Sequence, residues 1–177
     1  MTKTAVIFHS GYGHAQRVAQ FVADGAQAQL IAIDADGNIS EADWATLDAA
    51  DAIVFGSPTY MGMVSWQFKK FADASSKRWF SGAWKDKVAG GFTISGSPSG
   101  DKLSTIQYFI TLAMQHGMVW VGQPAMNDGH INRIGSNSGV MAQVGPTSPA
   151  ADIPQGDLDT AKAYGERVRL LAQRMGA

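Results

Sequence analysis

A glycine-containing loop near the start of the chain has the composition of an anion-binding turn. It runs from Ser10 to Ala15 and includes Gly11 and Gly13, which permit positive φ angles and a close approach of a ligand to the backbone. The helix predicted to follow would add free N–H groups and the positive end of its dipole. Ser10 supplies a hydroxyl donor, and the loop holds no Lys or Arg. These residues predict phosphate binding through neutral donors.

Other interpretations of this loop stay open. The spacing Gly11-x-Gly13-x-x-Gln16 half-matches a dinucleotide-binding fingerprint, and Asp34 stands where a ribose-binding acid would lie, but the third small residue is missing. The Gly-Lys-Ser/Thr ending of a P-loop is absent. The segment could also be a surface turn without a ligand, in which His14 is a solvated residue.

A second loop contains residues suited to a flat ring. Pro58 stiffens the turn. Thr59 and Tyr60 can present backbone groups to the edge of a planar heteroaromatic ring, and Met61 can pack on its face. Taken alone, Ser-Pro-Thr is a common turn.

A third loop consists of small residues whose N–H groups can meet carbonyl and ring-nitrogen acceptors while the loop lies against a planar ligand. Its members are Ser95, Gly96, Ser97, Pro98, Ser99 and Gly100. In isolation this segment could equally be a flexible surface connection.

The elements that must position these loops alternate along the chain. Apolar runs predict strands at 4–8, 28–33, 52–55, 87–93 and 118–121, and amphipathic patterns predict five helices, the last over 157–175. A long loop is expected over about 124–154. This alternation predicts an α/β fold with a doubly wound, five-stranded parallel sheet and helices on both faces. Because ligands bind at the carboxyl ends of such strands, the loops after strands one, three and four predict one site.

Composition limits the classes of function. The length of 177 residues predicts a single domain over 1–177. A net charge of −1 makes neither nucleic acid nor an anionic membrane an expected partner. The absence of cysteine excludes disulfides and thiol nucleophiles. No stretch reaches the roughly 20 apolar residues of a membrane span, and no secretory signal is visible, so we expect a cytoplasmic protein without membrane insertion.

Several other residues were candidates for chemistry. Asp128 and His130 stand one residue apart without a third ligand, so no metal site is expected. Trp79 and Trp84 flank a Ser-Gly pair and are either packing or site residues. His116 stands at a predicted helix C-terminus, where the dipole alone could account for it.

An ordered set of motifs resembles the WrbA family of NAD(P)H:quinone oxidoreductases over essentially the whole chain. The motifs are Ser10-x-Tyr-Gly-His14, Phe55-Gly-Ser-Pro-Thr59, Gly62, Phe71, Trp79-x-Ser-Gly82 and His116-Gly-Met118. The resemblance implies a flavodoxin-like fold with strand order 2-1-3-4-5 and FMN as cofactor. It further implies two-electron reduction of quinones by NADH or NADPH, and a homodimer or homotetramer with active sites near the subunit contacts.

The resemblance also implies roles for individual residues. The FMN phosphate would lie on the first loop, which comprises Ser10, Gly11, Tyr12, Gly13, His14 and Ala15. The isoalloxazine ring would meet Pro58, Thr59, Tyr60 and Met61, and then the third loop. Tyr12 would contact the nicotinamide, whereas Trp79 and His116 would be catalytic residues near the open face of the flavin.

The chain departs from the family in three places. Tyr60-Met61 replaces a common Arg-Phe pair, the third loop holds Pro98 with Lys102 beside it, and the insertion after strand two is much reduced. The first change bears on flavin affinity and acceptor preference, and the last on assembly. A flavodoxin-type electron carrier and a non-catalytic FMN-binding module remain alternatives, although 14 basic against 15 acidic residues is not the strongly acidic balance typical of carriers.

Overall fold

The computed structural model describes residues 2–176. Strands occupy Thr4–Phe8 (β1), Gln29–Ala32 (β2), Ala52–Tyr60 (β3), Met63–Val64 (β4), Val88–Ser95 (β5), Val119–Trp120 (β6) and Val140–Gln143 (β7). Helices occupy His14–Ala26 (α1), Glu41–Ala49 (α2), Trp66–Ala74 (α3), Ser76–Ser81 (α4), Lys102–Gln115 (α5) and Gln155–Met175 (α6), with a 3-10 turn at Ala150–Asp152. None of these helices is long and apolar enough to cross a membrane.

The central sheet has the order β2-β1-β3-β5-β6, and all of these neighbours pair in parallel. The predicted order is therefore confirmed, with β5 and β6 as the fourth and fifth strands. The fifth position is divided, because β6 pairs with Val88 and Ala89 while β7 pairs with the C-terminal half of β5. The prediction of one loop over 124–154 is wrong in this respect. Residues 121–139 separate the two halves of the fifth strand.

The strands are buried on both faces, which explains their continuous apolar sequences. One core lies between the sheet and helices α1 and α6, where Tyr164 is buried and donates to the carbonyl of Val121. The opposite core is aromatic and includes Trp44, Phe68, Phe109 and Trp84. The sheet is therefore fixed from both sides, and its carboxyl edge is left to the loops.

Helices α1 and α6 pack with their backbones in direct contact. A Cβ atom placed on Gly25 would overlap the carbonyl oxygen of Lys162, and one placed on Gly165 would overlap that of Val22. Each glycine therefore leaves the space that the other helix occupies. This contact holds α1 against the sheet, and its first turn forms one wall of the site described below.

Local signals account for some of the element boundaries. Ser40 begins α2 with a complete capping box, because its hydroxyl accepts from the N–H of Asp43 and the Asp43 carboxylate accepts from the N–H of Ser40. The short helix α4 was not predicted, since six residues carry no clear helical periodicity. Strand β3 extends to Tyr60 and turns back into β4, which places the second loop on a hairpin.

Candidate functional site

Three loops predicted to share a ligand line one cleft at the carboxyl edge of the sheet. They contribute Ser10, Gly11, Tyr12, His14, Ala15, Pro58, Thr59, Tyr60, Ser95 and Gly96, and the remaining lining residues are Ile94, Val144 and Pro146. Among residues 2–176, no Asp, Glu, Lys or Arg lines this cleft. The arrangement suits a ligand that is held by neutral donors and apolar contact.

The first loop has the features of an anion site. The Oγ atom of Ser10 is buried and has no hydrogen-bond partner among residues 2–176. Gly13 is the N-cap of α1 with a φ of 84°, and no side chain caps this helix end. An orphaned hydroxyl next to uncapped helix N–H groups fits a phosphate monoester such as that of FMN.

The ring of His14 links the first loop to a fourth segment at the cleft, residues 144–148, which is called the fourth wall. Its Nε2 atom lies 2.7 Å from the carbonyl oxygen of Ser148, so the ring N–H donates a hydrogen bond to that carbonyl. The fourth wall also joins the third loop through the N–H of Val144 and the carbonyl of Ser95, 3.3 Å apart. The sequence does not identify Val144 or Pro146 as lining residues, because it predicts a loop where β7 positions them.

Contacts among three threonine hydroxyls anchor the second loop to the neighbouring strand and helix. The Oγ1 atom of Thr59 lies 2.8 Å from the Oγ1 atoms of both Thr93 and Thr105, which are fully buried. The hydroxyl of Thr59 therefore links β3 to β5 and α5, while the residue also lines the cleft.

Two tyrosines and a methionine border the opening of the cleft. Tyr12 and Tyr60 meet edge to face with ring centroids 6.3 Å apart, and burial raises the pKa of Tyr60. A Cβ atom on Gly11 would lie 2.7 Å from the Tyr60 hydroxyl, so a larger residue there would require the Tyr60 ring to shift. Tyr12 is 78% exposed, and Met61, at a φ of 47°, is fully exposed. The rim is apolar and open to solvent.

The third loop enters the cleft only at its first two residues. Ser95 and Gly96 line the cavity, whereas Ser97, Pro98 and Ser99 are exposed beyond it. Gly100, at a φ of 53°, closes the loop against the Ser95 side chain. Gly13 and Met61 also stand beside the cleft without lining it.

Trp79 and His116, expected near the open face of the flavin, do not line the cleft of their own chain. Both line a second cavity between α3, α4 and α5. Helix α5 starts at the carboxyl edge of the sheet and ends at the amino edge, so His116 at its C-terminus is remote from the cleft.

His116 is held firmly in this second place. It is buried, its Nε2 atom lies 2.9 Å from the Ser75 hydroxyl, and its ring packs 4.4 Å from that of Trp84. Burial lowers the pKa of His116 below its ordinary value, which favours a neutral ring at pH 7. Trp79 is half-exposed beside it.

Acidic residues that sequence spacing singled out have local roles. One carboxylate oxygen of Asp34 accepts from the N–H groups of Asp36 and Asn38 and so closes a turn. Asp128 does the same for His130 and Ile131, while the His130 ring bonds the carboxylate of Asp159. Within residues 2–176 no three metal-ligating side chains come together.

Comparison with known proteins gives consistent matches. The family model described as NADPH-dependent FMN reductase matches residues 10–132. A curated relative, flavodoxin FldP of Pseudomonas aeruginosa, is 49% identical over the full length of both chains. An NAD(P)H dehydrogenase (quinone) of Syntrophobacter fumaroxidans is 31% identical over 98% of each chain.

Solved structures agree with the architecture. The flavodoxin, WrbA-like protein from Agrobacterium tumefaciens superimposes with a TM-score of 0.84 at 54% identity, covering 98% of this chain and 99% of the other. A flavodoxin from the domain Archaea, at 18% identity and a TM-score of 0.67 over 96% and 99% of the two chains, shares the fold. The chain therefore belongs to the NADPH-dependent FMN reductase family and is a WrbA-type, FMN-binding protein with a flavodoxin-like fold.

Proposed function

We propose that the chain is an FMN-dependent oxidoreductase that reduces quinones by two electrons at the expense of cytoplasmic NADH or NADPH. The observation that carries this proposal is the character of the cleft. Its lining within the described part of the chain holds no Asp, Glu, Lys or Arg, and it includes the exposed Tyr12 and the half-exposed Tyr60, which Met61 follows. Such a surface suits the flat rings of a nicotinamide and a quinone.

The residues of the cleft would hold the cofactor in two parts. The Ser10 hydroxyl and the first-turn N–H groups of α1 would bind the phosphate, and the backbone of Thr59, Tyr60 and Gly96 would meet the ring. When bound, FMN would supply the redox chemistry, taking a hydride from the nicotinamide and passing its two electrons and one proton to the quinone, with a second proton from solvent. The protein contributes orientation, an apolar slot and hydrogen bonds.

Use of one open face by both substrates makes a kinetic prediction. The nicotinamide must leave before the quinone enters, so the FMN-loaded protein should show ping-pong kinetics. Double-reciprocal plots of rate against NADH or NADPH at several benzoquinone concentrations should give parallel lines. Intersecting lines would mean that both substrates bind at once, and the single-slot arrangement would then be wrong.

We further propose that Trp79 and His116 act at the cleft of a second copy of the chain. Within one chain they lie at the opposite side of the fold from Ser10, but the Trp79 ring is 53% exposed and neighbours Phe80, which is 86% exposed. These rings are apolar surface that association would cover. Trp79 would then meet the quinone ring directly, whereas the buried His116, whose Nε2–H is taken by the Ser75 hydroxyl, would act by holding α3 and α5 in place.

Assembly is therefore an expected result. Light scattering at micromolar concentration should give the mass of at least two chains, because exposed aromatic residues gather around α3 and α4. Trp79→Ser together with Phe80→Ser should shift the mass toward one chain and slow quinone reduction, while the exposed Met126→Ser serves as a control. A wild-type mass of one chain would refute a site shared between subunits.

A second candidate function is electron carriage without a substrate of its own. The observation that favours it is the 49% identity to a relative named flavodoxin FldP. A carrier would exchange electrons with a protein partner and would oxidise neither NADH nor NADPH. Oxidation of neither nucleotide by FMN-loaded protein, with benzoquinone present, would favour this candidate.

A further inference from the structure

We propose that Lys102 is a positioning residue of the flavin site, whose buried ammonium holds the third loop from within and favours the reduced form of FMN over the oxidised form. The inference rests on the proposed binding of FMN in the cleft. It does not depend on which donor reduces the flavin or which acceptor reoxidises it.

The contacts of Lys102 all go to the third loop. The side chain is 0% exposed, and its Nζ atom lies 2.8 Å from the Ser95 hydroxyl and 2.8 Å from the carbonyl oxygens of Ser97 and Pro98. An ammonium has three N–H donors, so this set of acceptors is complete. A loop of small residues without regular backbone pairing is thereby given one conformation.

Hydrogen bonds to the loop carbonyls fix the orientation of the peptide groups in the third loop. The carbonyl of Gly96 accepts from Nε2 of Gln143 at 3.0 Å, so the carbonyls of Gly96, Ser97 and Pro98 are all bound by side chains of the protein body. Because the C=O and N–H of a trans peptide point in opposite directions, the N–H groups of Ser97 and Ser99 face outward. A flavin ring that extends from Ser95 and Gly96 past the edge of the cavity would meet these donors with its carbonyl and ring-nitrogen acceptors.

The charge of Lys102 has no carboxylate of its own. The buried Asp157 on α6 is already paired with Arg133, with Nε and Oδ1 2.8 Å apart and a second contact of 2.9 Å. Burial lowers the pKa of Lys102 to about 8, so its side-chain amine is mostly protonated, and therefore positively charged, at neutral pH. A positive charge therefore stands directly behind Ser95, which lines the cleft.

Burying such a charge is unfavourable for folding. Its position beside the proposed flavin site allows it to act on the redox state of the flavin. Reduction adds negative charge to the flavin ring, and a nearby cation stabilises that state more than the neutral oxidised one. The expected effect of Lys102 is a higher midpoint potential for bound FMN. The loop contacts would add affinity for both forms.

The test is the midpoint potential of the FMN-loaded protein, measured by anaerobic titration with dithionite against a reference dye. In Lys102→Met, reduced FMN should lose about tenfold more affinity than oxidised FMN, which lowers a two-electron potential by about 30 mV. Lys102→Gln, which keeps donors but no charge, should lower the potential as much while weakening oxidised FMN less. Lys162→Met removes an exposed lysine of α6 and should change neither quantity.

Each outcome decides the matter. Equal weakening of both redox forms, with an unchanged potential, would overturn the inference and leave Lys102 a structural residue. Failure of the wild type to bind FMN would overturn it together with the proposed function. If Lys102→Met lowers the potential but the FMN-loaded wild type transfers no electrons from NADH or NADPH to quinone, the role of Lys102 is supported. Only the proposed function is then refuted.

If the variants do not fold, the pH dependence of the wild-type midpoint potential tests the inference instead. Reduction should raise the pKa of Lys102, so proton uptake should accompany reduction above about pH 8. The potential should then fall more steeply with pH above that value than below it. The charged groups facing Lys102 are Asp157 and Arg133, whose side-chain types ordinarily titrate outside this range. A slope that does not steepen would overturn the inference.

Discussion

Ser10→Ala should weaken FMN binding by about 1.5–3 kcal/mol, which is roughly 10- to 150-fold in the dissociation constant. The Ser10 Oγ atom is buried without a partner among residues 2–176, and the cleft lining provides no Lys or Arg to replace it. The hydroxyl therefore carries a large share of the phosphate contact. Quenching of flavin fluorescence on addition of apoprotein measures the affinity.

Two comparisons locate the effect at the phosphate. Riboflavin lacks the phosphate, so wild type and Ser10→Ala should bind it about equally. Ser99→Ala removes an exposed hydroxyl from the loop expected at the ring and should leave the preference for FMN over riboflavin unchanged. If Ser10→Ala weakens riboflavin and FMN alike, Ser10 is a structural residue and the phosphate lies elsewhere.

Gly165→Ala should lower the free energy of unfolding by about 3 kcal/mol, at the upper end of the usual cost of overpacking. Helix propensity alone predicts the opposite sign, because alanine in a helix interior is favoured over glycine by about 1 kcal/mol. The new Cβ atom would overlap the carbonyl of Val22. A backbone atom cannot rotate away as a side chain can, so α1 and α6 must separate.

Urea denaturation followed by circular dichroism measures this change as a lower midpoint. Gly176→Ala is the matched control, since the nearest atom to its Cβ is the carbonyl oxygen of Ala172 at 3.5 Å, an ordinary contact. Its effect should stay within about 0.5 kcal/mol. A midpoint for Gly165→Ala equal to or above that of the wild type would contradict the close packing of the two helices.

The parts of the fold that were predictable are those fixed by local patterns. Continuous apolar runs such as Thr4–Phe8 indicate strands buried on both faces, and three loops after such strands must meet at one edge. The divided fifth strand was missed because Val140–Gln143 alternates between buried and half-buried residues within a polar stretch. The wall of Val144 and Pro146 was missed with it.

Contacts between distant residues explain the other differences. The resemblance places His14 in the phosphate loop, and His14 does line the cleft, but no local pattern indicates the bond from its ring to the carbonyl of Ser148, 134 positions later. The sequence did contain a signal for the position of His116 relative to the cleft. A residue at the end of the helix that follows β5 must lie at the opposite sheet edge from the loops that follow the strands.

The central claim is that this flavin site takes electrons from a nicotinamide and gives them to a quinone. The most direct test is anaerobic mixing of FMN-loaded protein with NADH or NADPH, followed by benzoquinone, while the flavin absorbance is recorded. We predict that the oxidised flavin band bleaches with at least one nucleotide and returns when the quinone is added. A band that neither nucleotide bleaches, although dithionite does, would contradict the account.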